Sequence, residues 1–154
     1  MYGVVQDFDA AINDLTVLVH TDSLSTMAYW QRAVCQHLVN EFDRTHGVQT
    51  SDAPARVMRV RTDLDRAIAL APQNAYLYYN RGNLHASNGE YSNAIDDYTR
   101  ALQIDAYLAE AYYNRGLAYV KNGKKADGIR DLSRAGELGI YDAYSVIKQI
   151  SNDK

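Results

Sequence analysis

The sequence repeats itself with a period of 34 residues, and this period restricts the fold more than any other feature. When residues 75–108 are laid over residues 109–142 without a gap, 13 of the 34 positions are identical. The longest shared run, Tyr-Tyr-Asn-Arg-Gly, occupies residues 78–82 and again residues 112–116. A period of about 20–50 residues is typical of stacked copies of one supersecondary unit. The chain is therefore expected to be a repeat protein.

Each copy contains two helical stretches. The first, over residues 75–88 and 109–122, has apolar residues at helical spacing and ends at Asn-Gly, a helix-stopping turn signal. The second follows over residues 91–104 and 125–138. Two short helices make an antiparallel hairpin that cannot bury its apolar face alone, so successive copies must stack.

The pattern resembles that of the tetratricopeptide repeat family, W-x2-L-G-x2-Y followed by Ala, Phe and Pro. The matching positions read Tyr78-x2-Arg81-Gly82-x2-His85 in one copy and Tyr112-x2-Arg115-Gly116-x2-Tyr119 in the next. Arg stands where the family has Leu, and neither copy ends in the usual Pro. The resemblance implies an all-α fold, a right-handed superhelical α-solenoid of antiparallel helix pairs with about eight helices.

The same columns continue towards both ends of the chain and predict one domain over residues 1–154. The predicted parts are an orphan second helix of a truncated repeat over 7–20, an expanded repeat over 26–72 with a polar loop over 43–54, regular repeats over 75–108 and 109–140, and a C-terminal capping helix over 142–151. A natural array usually begins with a solvating terminal unit, so we expect the chain to be a fragment of a longer protein.

Charge and hydrophobicity argue against two classes of partner. The net charge is −3 with no run of Lys or Arg, which leaves no electrostatic footprint for nucleic acid. No apolar stretch approaches the roughly 20 residues of a membrane span, so no membrane insertion is expected. The 13 Tyr against 2 Phe suit a semi-polar binding face, because a Tyr ring packs while its hydroxyl stays at the surface. Nothing in the sequence assigns a compartment.

The residue pattern predicts no catalytic residue, cofactor or metal. His37 and Glu41 lie one helical turn apart with His46 nearby, but no further ligand accompanies them, and a metal site needs three or four. Cys35 lacks a paired His and acid, so we expect it to be a buried small apolar residue. Glycine-rich phosphate motifs and a nucleophile-elbow serine are also absent from the sequence.

Arg and Asp recur in two fixed columns of the repeat. The first-helix column holds Arg32, Arg81 and Arg115, and the second-helix column holds Asp14, Asp63, Asp97 and Asp131. Each Arg follows the preceding Asp by 18 residues, which predicts a structural ladder between neighbouring units: Asp14 with Arg32, Asp63 with Arg81, and Asp97 with Arg115. A cation in a mostly apolar column needs a partner, so we favour a lock on stacking over a binding ladder for an acidic partner.

The resemblance implies that the first helices line a concave groove in which a peptide binds. That face would carry Met27, Trp30, Gln31 and Val34, then Tyr76, Tyr79, Asn80 and Asn83, then Glu110, Tyr113, Asn114 and Leu117. Aromatic rings supply contact area, and amides can bond a peptide backbone of any sequence. The alternative is that Asn80 and Asn114 serve their own array and that the Tyr rings are part of the core.

Co-chaperone members of the family capture a C-terminal carboxylate with Lys and Arg on this face. The matching positions here hold Trp30, Val34, Asn80, Glu110 and Asn114. Only Asn80 fits that role, and Glu110 would repel a carboxylate. Binding of a chaperone tail is therefore not expected.

The function predicted from these features is a protein–protein interaction module that binds an extended polypeptide segment in the groove. The alternative is a structural or assembly module that self-associates or docks domains of a longer parent protein. In that case one face of the orphan helix would pair two copies as a homodimer, through Val5, Phe8, Ile12, Leu15 and Val19.

Overall fold

The computed structural model describes residues 2–22 and 24–152, and in residues 2–6 the backbone alone. Eight α-helices and no strands occur in this described part. In chain order they are α1 (Tyr2–Thr21), α2 (Thr26–Thr45), α3 (Ala53–Leu70), α4 (Ala75–Ser87), α5 (Tyr91–Ile104), α6 (Ala109–Lys121), α7 (Lys125–Glu137) and α8 (Asp142–Asn152). The predicted all-α fold is confirmed.

The helices gather into two compact units, Met1–Gln73 and Asn74–Lys154. Unit 1 contains α1 to α3, and unit 2 contains α4 to α8. Within each unit the helices pack on their neighbours in sequence, and α4 also touches α6. The pairs α2–α3, α4–α5 and α6–α7 are the hairpins of the expanded and the two regular repeats.

Glycines in the left-handed conformation close the hairpins of the regular repeats. Gly89 follows α4 with a φ of 76°, and Gly123 follows α6 with a φ of 79°. A residue with a Cβ adopts this conformation only at a cost, so Gly is favoured. The next amide then donates back into the helix, as Glu90 N does to the carbonyl of His85 at 2.9 Å. The two Asn-Gly pairs therefore lie at turns whose backbone conformation favours glycine.

The expanded repeat has longer helices and a shorter loop than the polar stretch 43–54 suggested. α2 has 20 residues and α3 has 18, against 13 or 14 in the helices of the regular repeats. Arg56 bonds both edges of the loop. Its Nη1 donates to Asp43 Oδ2 at 2.8 Å, and its Nη2 donates to Thr50 Oγ1 at 3.2 Å and to Asp52 Oδ1 at 3.0 Å. One guanidinium thus supports the extra turns of both helices.

The helix at the start of the chain is also longer than predicted. α1 begins at Tyr2 rather than at residue 7. Of the proposed dimer face, the Val5 side chain lies outside the described residues. The other four side chains range from half-buried to buried: Phe8, Ile12, Leu15 and Val19.

Two glycines let α6 and α7 approach each other closely. A Cβ added at Gly128 would lie 2.5 Å from Val120 Cγ2 and 2.7 Å from the carbonyl oxygen of Gly116. A Cβ added at Gly116 would lie 2.9 Å from Leu132 Cγ. These distances are shorter than packed carbon atoms tolerate, so the crossing depends on the absence of side chains here.

The Arg and Asp columns pair within each repeat. The guanidinium and carboxylate groups meet as Arg32 with Asp63, Arg81 with Asp97, and Arg115 with Asp131. Every pair is bidentate, with N–O distances between 2.6 and 2.9 Å. The predicted pairs Asp14–Arg32, Asp63–Arg81 and Asp97–Arg115 are therefore wrong. The constant 18-residue offset reflects the spacing of the columns, whereas the carboxylate in contact belongs to the other helix of the same hairpin.

Arg32 and Arg115 also reach the second helix of the preceding repeat. Arg32 Nη1 donates to Thr16 Oγ1 at 3.3 Å, and Arg115 Nη1 donates to Thr99 Oγ1 at 3.0 Å. Each Thr lies two residues after the Asp that the sequence had suggested as partner. A single guanidinium thus connects three helices, which are α1, α2 and α3 in unit 1 and α5, α6 and α7 in unit 2.

A tyrosine ring lies against each of these guanidinium groups. The ring centroids are 5.9 Å from Arg32 for Tyr29, 5.9 Å from Arg81 for Tyr78, and 5.6 Å from Arg115 for Tyr112. Because the Tyr precedes the Arg by three residues, one helical turn brings ring and cation together. Ring and carboxylate together stabilise a cation in a column where the family has Leu.

Replacing Arg115 by Met is expected to lower the free energy of unfolding by about 3–5 kcal/mol, because Asp131 would stay buried without its partner. Chemical denaturation followed by circular dichroism measures the change. Arg130→Met is the control, because its ion pair with Asp127 is exposed and should contribute little. Equal losses in the two variants would contradict the role given to Arg115.

Replacing Gly128 by Ala is expected to destabilise the chain by about 1–3 kcal/mol through overpacking at the α6–α7 crossing. The loss should appear even though Ala is the better helix former by about 1 kcal/mol. Ala126→Gly, at an exposed position of the same helix, is the reference for propensity alone. A rise in thermal midpoint for Gly128→Ala would show that the helices can separate at no cost.

Candidate functional site

Polar side chains of α4, α5 and α6 form one hydrogen-bonded cluster in unit 2. Asn83 Oδ1 accepts from the Tyr98 hydroxyl at 2.8 Å and from Asn114 Nδ2 at 2.9 Å. The same Nδ2 donates to the Tyr79 hydroxyl oxygen at 3.1 Å. We call these four residues the amide–tyrosine cluster. The structure thus brings together three of the predicted peptide-binding residues.

The buried tyrosine fixes the orientation of the amides. Burial raises the pKa of the Tyr98 hydroxyl, which therefore stays protonated and donates its hydrogen to Asn83 Oδ1. With these orientations, Asn83 Nδ2 and Asn114 Oδ1 make no hydrogen bond to any residue in the described ranges. One donor and one acceptor remain available, which are the groups needed to bond the C=O and N–H of a peptide backbone.

A groove of about 310 Å³ opens beside the cluster. Its lining residues are Asn83, Ala86, Tyr91, Tyr98, Asn114, Leu117, Ala118 and Lys121. The lining carries one cation and no carboxylate, so the groove is close to neutral.

Sequence reasoning had confined the site to first helices and missed Tyr91 and Tyr98 of α5. The sequence does contain a signal for Tyr98. Its column belongs to the core and holds Leu64 and Leu132 in the other repeats, so a Tyr there needs a hydrogen-bond partner for its buried hydroxyl.

Four other predicted residues of unit 2 do not line this groove and lie in different environments. Tyr76 is exposed and meets the Tyr79 ring edge to face, with centroids 6.5 Å apart. Tyr113 is half-buried against the core cluster around Leu132. Asn80 is half-buried, and Glu110 is exposed in the first turn of α6.

The predicted residues of the expanded repeat line a second groove, which belongs to unit 1. It encloses about 490 Å³ and is lined by Ala11, Asp14, Leu15, Trp30, Gln31, Val34 and Cys35. We call it the α1–α2 groove. Trp30 Nε1 is buried and has no hydrogen-bond partner among the described residues. Met27 is exposed on the same helix. The groove therefore combines mainly apolar walls with the carboxylate of Asp14.

The candidate reactive residues have the environments of structural side chains. Burial raises the pKa of the Cys35 thiol, whereas an activated cysteine needs a lowered pKa. Burial lowers the pKa of His37, and His46 stacks on the Phe42 ring at 4.0 Å. Across residues 2–22 and 24–152, no three His, Cys, Asp or Glu side chains converge as metal ligands would. No helix in these ranges is both long enough and apolar enough to cross a membrane.

Comparison with known proteins gives matches to one repeat family. Models described as TPR or tetratricopeptide repeat match residues 64–96, 82–123 and 109–138. A search of curated proteins by sequence gives no significant match. The family matches cover both regular repeats and extend into α3.

Solved structures with the same fold include three informative cases. MamA matches with a TM-score of 0.76 at 21% identity, over 94% of this chain and 77% of the MamA chain. TTC0263, a TPR protein of Thermus thermophilus, matches with a TM-score of 0.78 at 16% identity, over 94% of this chain and 73% of its own. The second TPR domain of human RPAP3, solved in complex with the HSP70 peptide SGPTIEEVD, matches with a TM-score of 0.60 at 25% identity, over 77% of this chain and 99% of its own.

The period, the hairpins and the family matches agree with one another. The 34-residue repeat, the helix pairs closed by left-handed glycines and the matches over residues 64–138 all identify the same unit. This chain belongs to the tetratricopeptide repeat family.

Proposed function

We propose that this chain is a protein-interaction module that binds an extended polypeptide segment across α4 and α6. The observation that carries the proposal is the available pair of amide groups, Asn83 Nδ2 and Asn114 Oδ1, beside an open groove. An extended segment presents unpaired N–H and C=O groups at regular intervals. Amides that bond these groups give affinity without requiring a particular side-chain sequence.

The surroundings of the amide pair favour a peptide over a small charged ligand. Tyr76 and Tyr79 stand edge to face next to the groove, and the exposed Tyr76 ring offers apolar area to a side chain of the segment. Lys121 is the only charged lining residue in the described part of unit 2. The partner is therefore an extended segment recognised mainly through its backbone and one apolar side chain.

Peptide binding by a related fold supports the same class of ligand. The second TPR domain of RPAP3 was solved with a bound HSP70 peptide. Co-chaperone members of the family capture a carboxylate with Lys and Arg. In this chain the matching positions hold uncharged residues and Glu110. The proposed guest is therefore an internal segment rather than a chain terminus.

Replacing Asn83 by Asp should weaken peptide binding about tenfold, because the substitution removes the Nδ2 donor. It keeps an oxygen that can accept from Tyr98, so thermal melting should change little. The probe is a fluorescein-labelled peptide enriched from a displayed library of about 12-residue random peptides on the whole chain, and fluorescence anisotropy gives its Kd. Asn93→Asp introduces the same charge at an exposed position of α5 and serves as control. Failure to enrich any peptide, or an unchanged Kd for Asn83→Asp, would reject this site.

The free C-terminal carboxylate of a bound peptide should contribute nothing to affinity. The peptide SGPTIEEVD and its C-terminal amide are therefore expected to bind this chain equally weakly in anisotropy titrations, within about twofold. Binding of the free acid at least about tenfold more tightly than the amide would reveal a carboxylate clamp that the sequence columns do not show.

A further inference from the structure

The α1–α2 pair in unit 1 packs in the same way as the α5–α6 pair in unit 2. Thr21 and Thr26, where α1 ends and α2 begins, lie 83 residues before Ile104 and Ala109, where α5 ends and α6 begins. The hydrogen bond from Arg32 to Thr16, at 3.3 Å, corresponds to the one from Arg115 to Thr99, at 3.0 Å. Unit 2 therefore shows which contacts a first helix makes with such a pair.

In unit 2 the first helix α4 covers both members of the pair. Arg81 bonds the Asp97 carboxylate through Nε at 2.8 Å and Nη2 at 2.7 Å. Gly82 lies on the Tyr98 ring so closely that an added Cβ would be 2.7 Å from Cε1. Asn114 of α6 bonds two side chains of α4. Arg81-Gly82 of α4 thus fits against Asp97-Tyr98 of α5. The Arg bonds the Asp, and the small residue lies against the large one.

In unit 1 the corresponding positions are open. The residues 83 positions before Asp97, Tyr98, Asn114 and Ala118 are Asp14, Leu15, Gln31 and Cys35, and all four line the α1–α2 groove. Asp14 is exposed, whereas its counterparts Asp63, Asp97 and Asp131 are 2%, 6% and 7% exposed. Leu18 is 42% exposed, whereas the alanine in its column at residue 101 is 0% exposed. The groove therefore has the walls of a first-helix site, and no described helix of unit 1 other than α1 and α2 lines it.

We propose that the α1–α2 groove binds a helix of a separate polypeptide, and that this helix carries an Arg followed by Gly or Ala. The Arg bonds the Asp14 carboxylate, and the small residue lies against Leu15. Charge complementarity supports this occupant, because every counterpart of Asp14 holds a bidentate guanidinium.

None of the hairpins in the described residues supplies this helix. α1 continues as one helix back to Tyr2, through Gln6, the position that corresponds to the turn glycine Gly89. No hairpin turn therefore returns the chain to this groove within the described residues. A second copy offers no free helix of the required kind, because the small residue of each of its Arg-Ala and Arg-Gly pairs is already buried: Ala33, Ala67, Gly82, Ala101, Gly116 and Ala135.

The test uses a labelled peptide with the sequence of residues 74–88 of this chain, stapled on the face away from Arg81. The staple is needed because an isolated helix of this length is marginal in water. Fluorescence anisotropy with the whole chain should give saturable binding. Asp14→Asn in the chain, or Arg81→Leu in the peptide, should each weaken it at least about tenfold. The two changes together should cost little more than either alone, because both remove the same pair.

The control for charge is Asp9→Asn, at an exposed position of the same helix, which should leave the Kd unchanged. Thermal melts check that Asp14→Asn stays folded, as expected for an exposed residue. The proposal is overturned by absence of saturable binding, or by equal binding to Asp14→Asn and to the unmodified chain. It is also overturned if sedimentation shows a dimer of the peptide-free chain that Asp14→Asn dissociates, because the groove would then be an interface between two copies.

Discussion

One guanidinium in each complete repeat determines how the two helices of that repeat meet. Taking an Arg and an Asp out of water is costly, and the attraction between them offsets that cost only with near-ideal geometry and further hydrogen bonds. The bidentate contact, the tyrosine ring one turn earlier and, in two repeats, a threonine from the preceding helix supply that geometry. A Leu in this column would bury apolar area but would not favour one alignment of the two helices over another. We therefore expect the pair to contribute specificity of alignment more than net stability.

Features elsewhere in the repeat depend on that alignment through their position in sequence. Gly82 and Gly116 follow the Arg directly, so the two helices of each regular repeat approach each other closely beside the ion pair. Asn83 lies two residues after Arg81, and Asn114 lies one residue before Arg115. Arg81 bonds Asp97 of α5, and Arg115 bonds Thr99 of the same helix, so α4 and α6 are both aligned on α5 with the two amides side by side. The candidate binding surface thus depends on the contacts of these two guanidinium groups with α5.

The sequence predicted the helices, the Asn-Gly turns and the need of each Arg for an acidic partner, because these depend on local periodicity and on burial of charge. It could not identify the partner. Within a regular repeat the Asp follows the Arg by 16 residues, and between repeats the Arg follows the Asp by 18, so both pairings satisfy the same columns. Only the geometry of the folded hairpin distinguishes between the two pairings. The role of Tyr98 was missed because its ring belongs to the core while its hydroxyl donates to Asn83 of another helix. The peptide-binding assignment of Trp30, Gln31 and Val34 remains a prediction.

The Arg56 contacts have a consequence for how this chain can change in length. One guanidinium bonds Asp43 on the α2 side and both Thr50 and Asp52 on the α3 side, so the two edges of the loop are held independently of the residues between them. Gly47, Val48 and Gln49 are exposed between those edges. Residues added there would lengthen a loop whose ends are already fixed, and loop-closure entropy rises only slowly with length. This segment is where new chain ends, a tag or a whole inserted domain would disturb the helices least, in contrast to the three-residue glycine turns of the regular repeats.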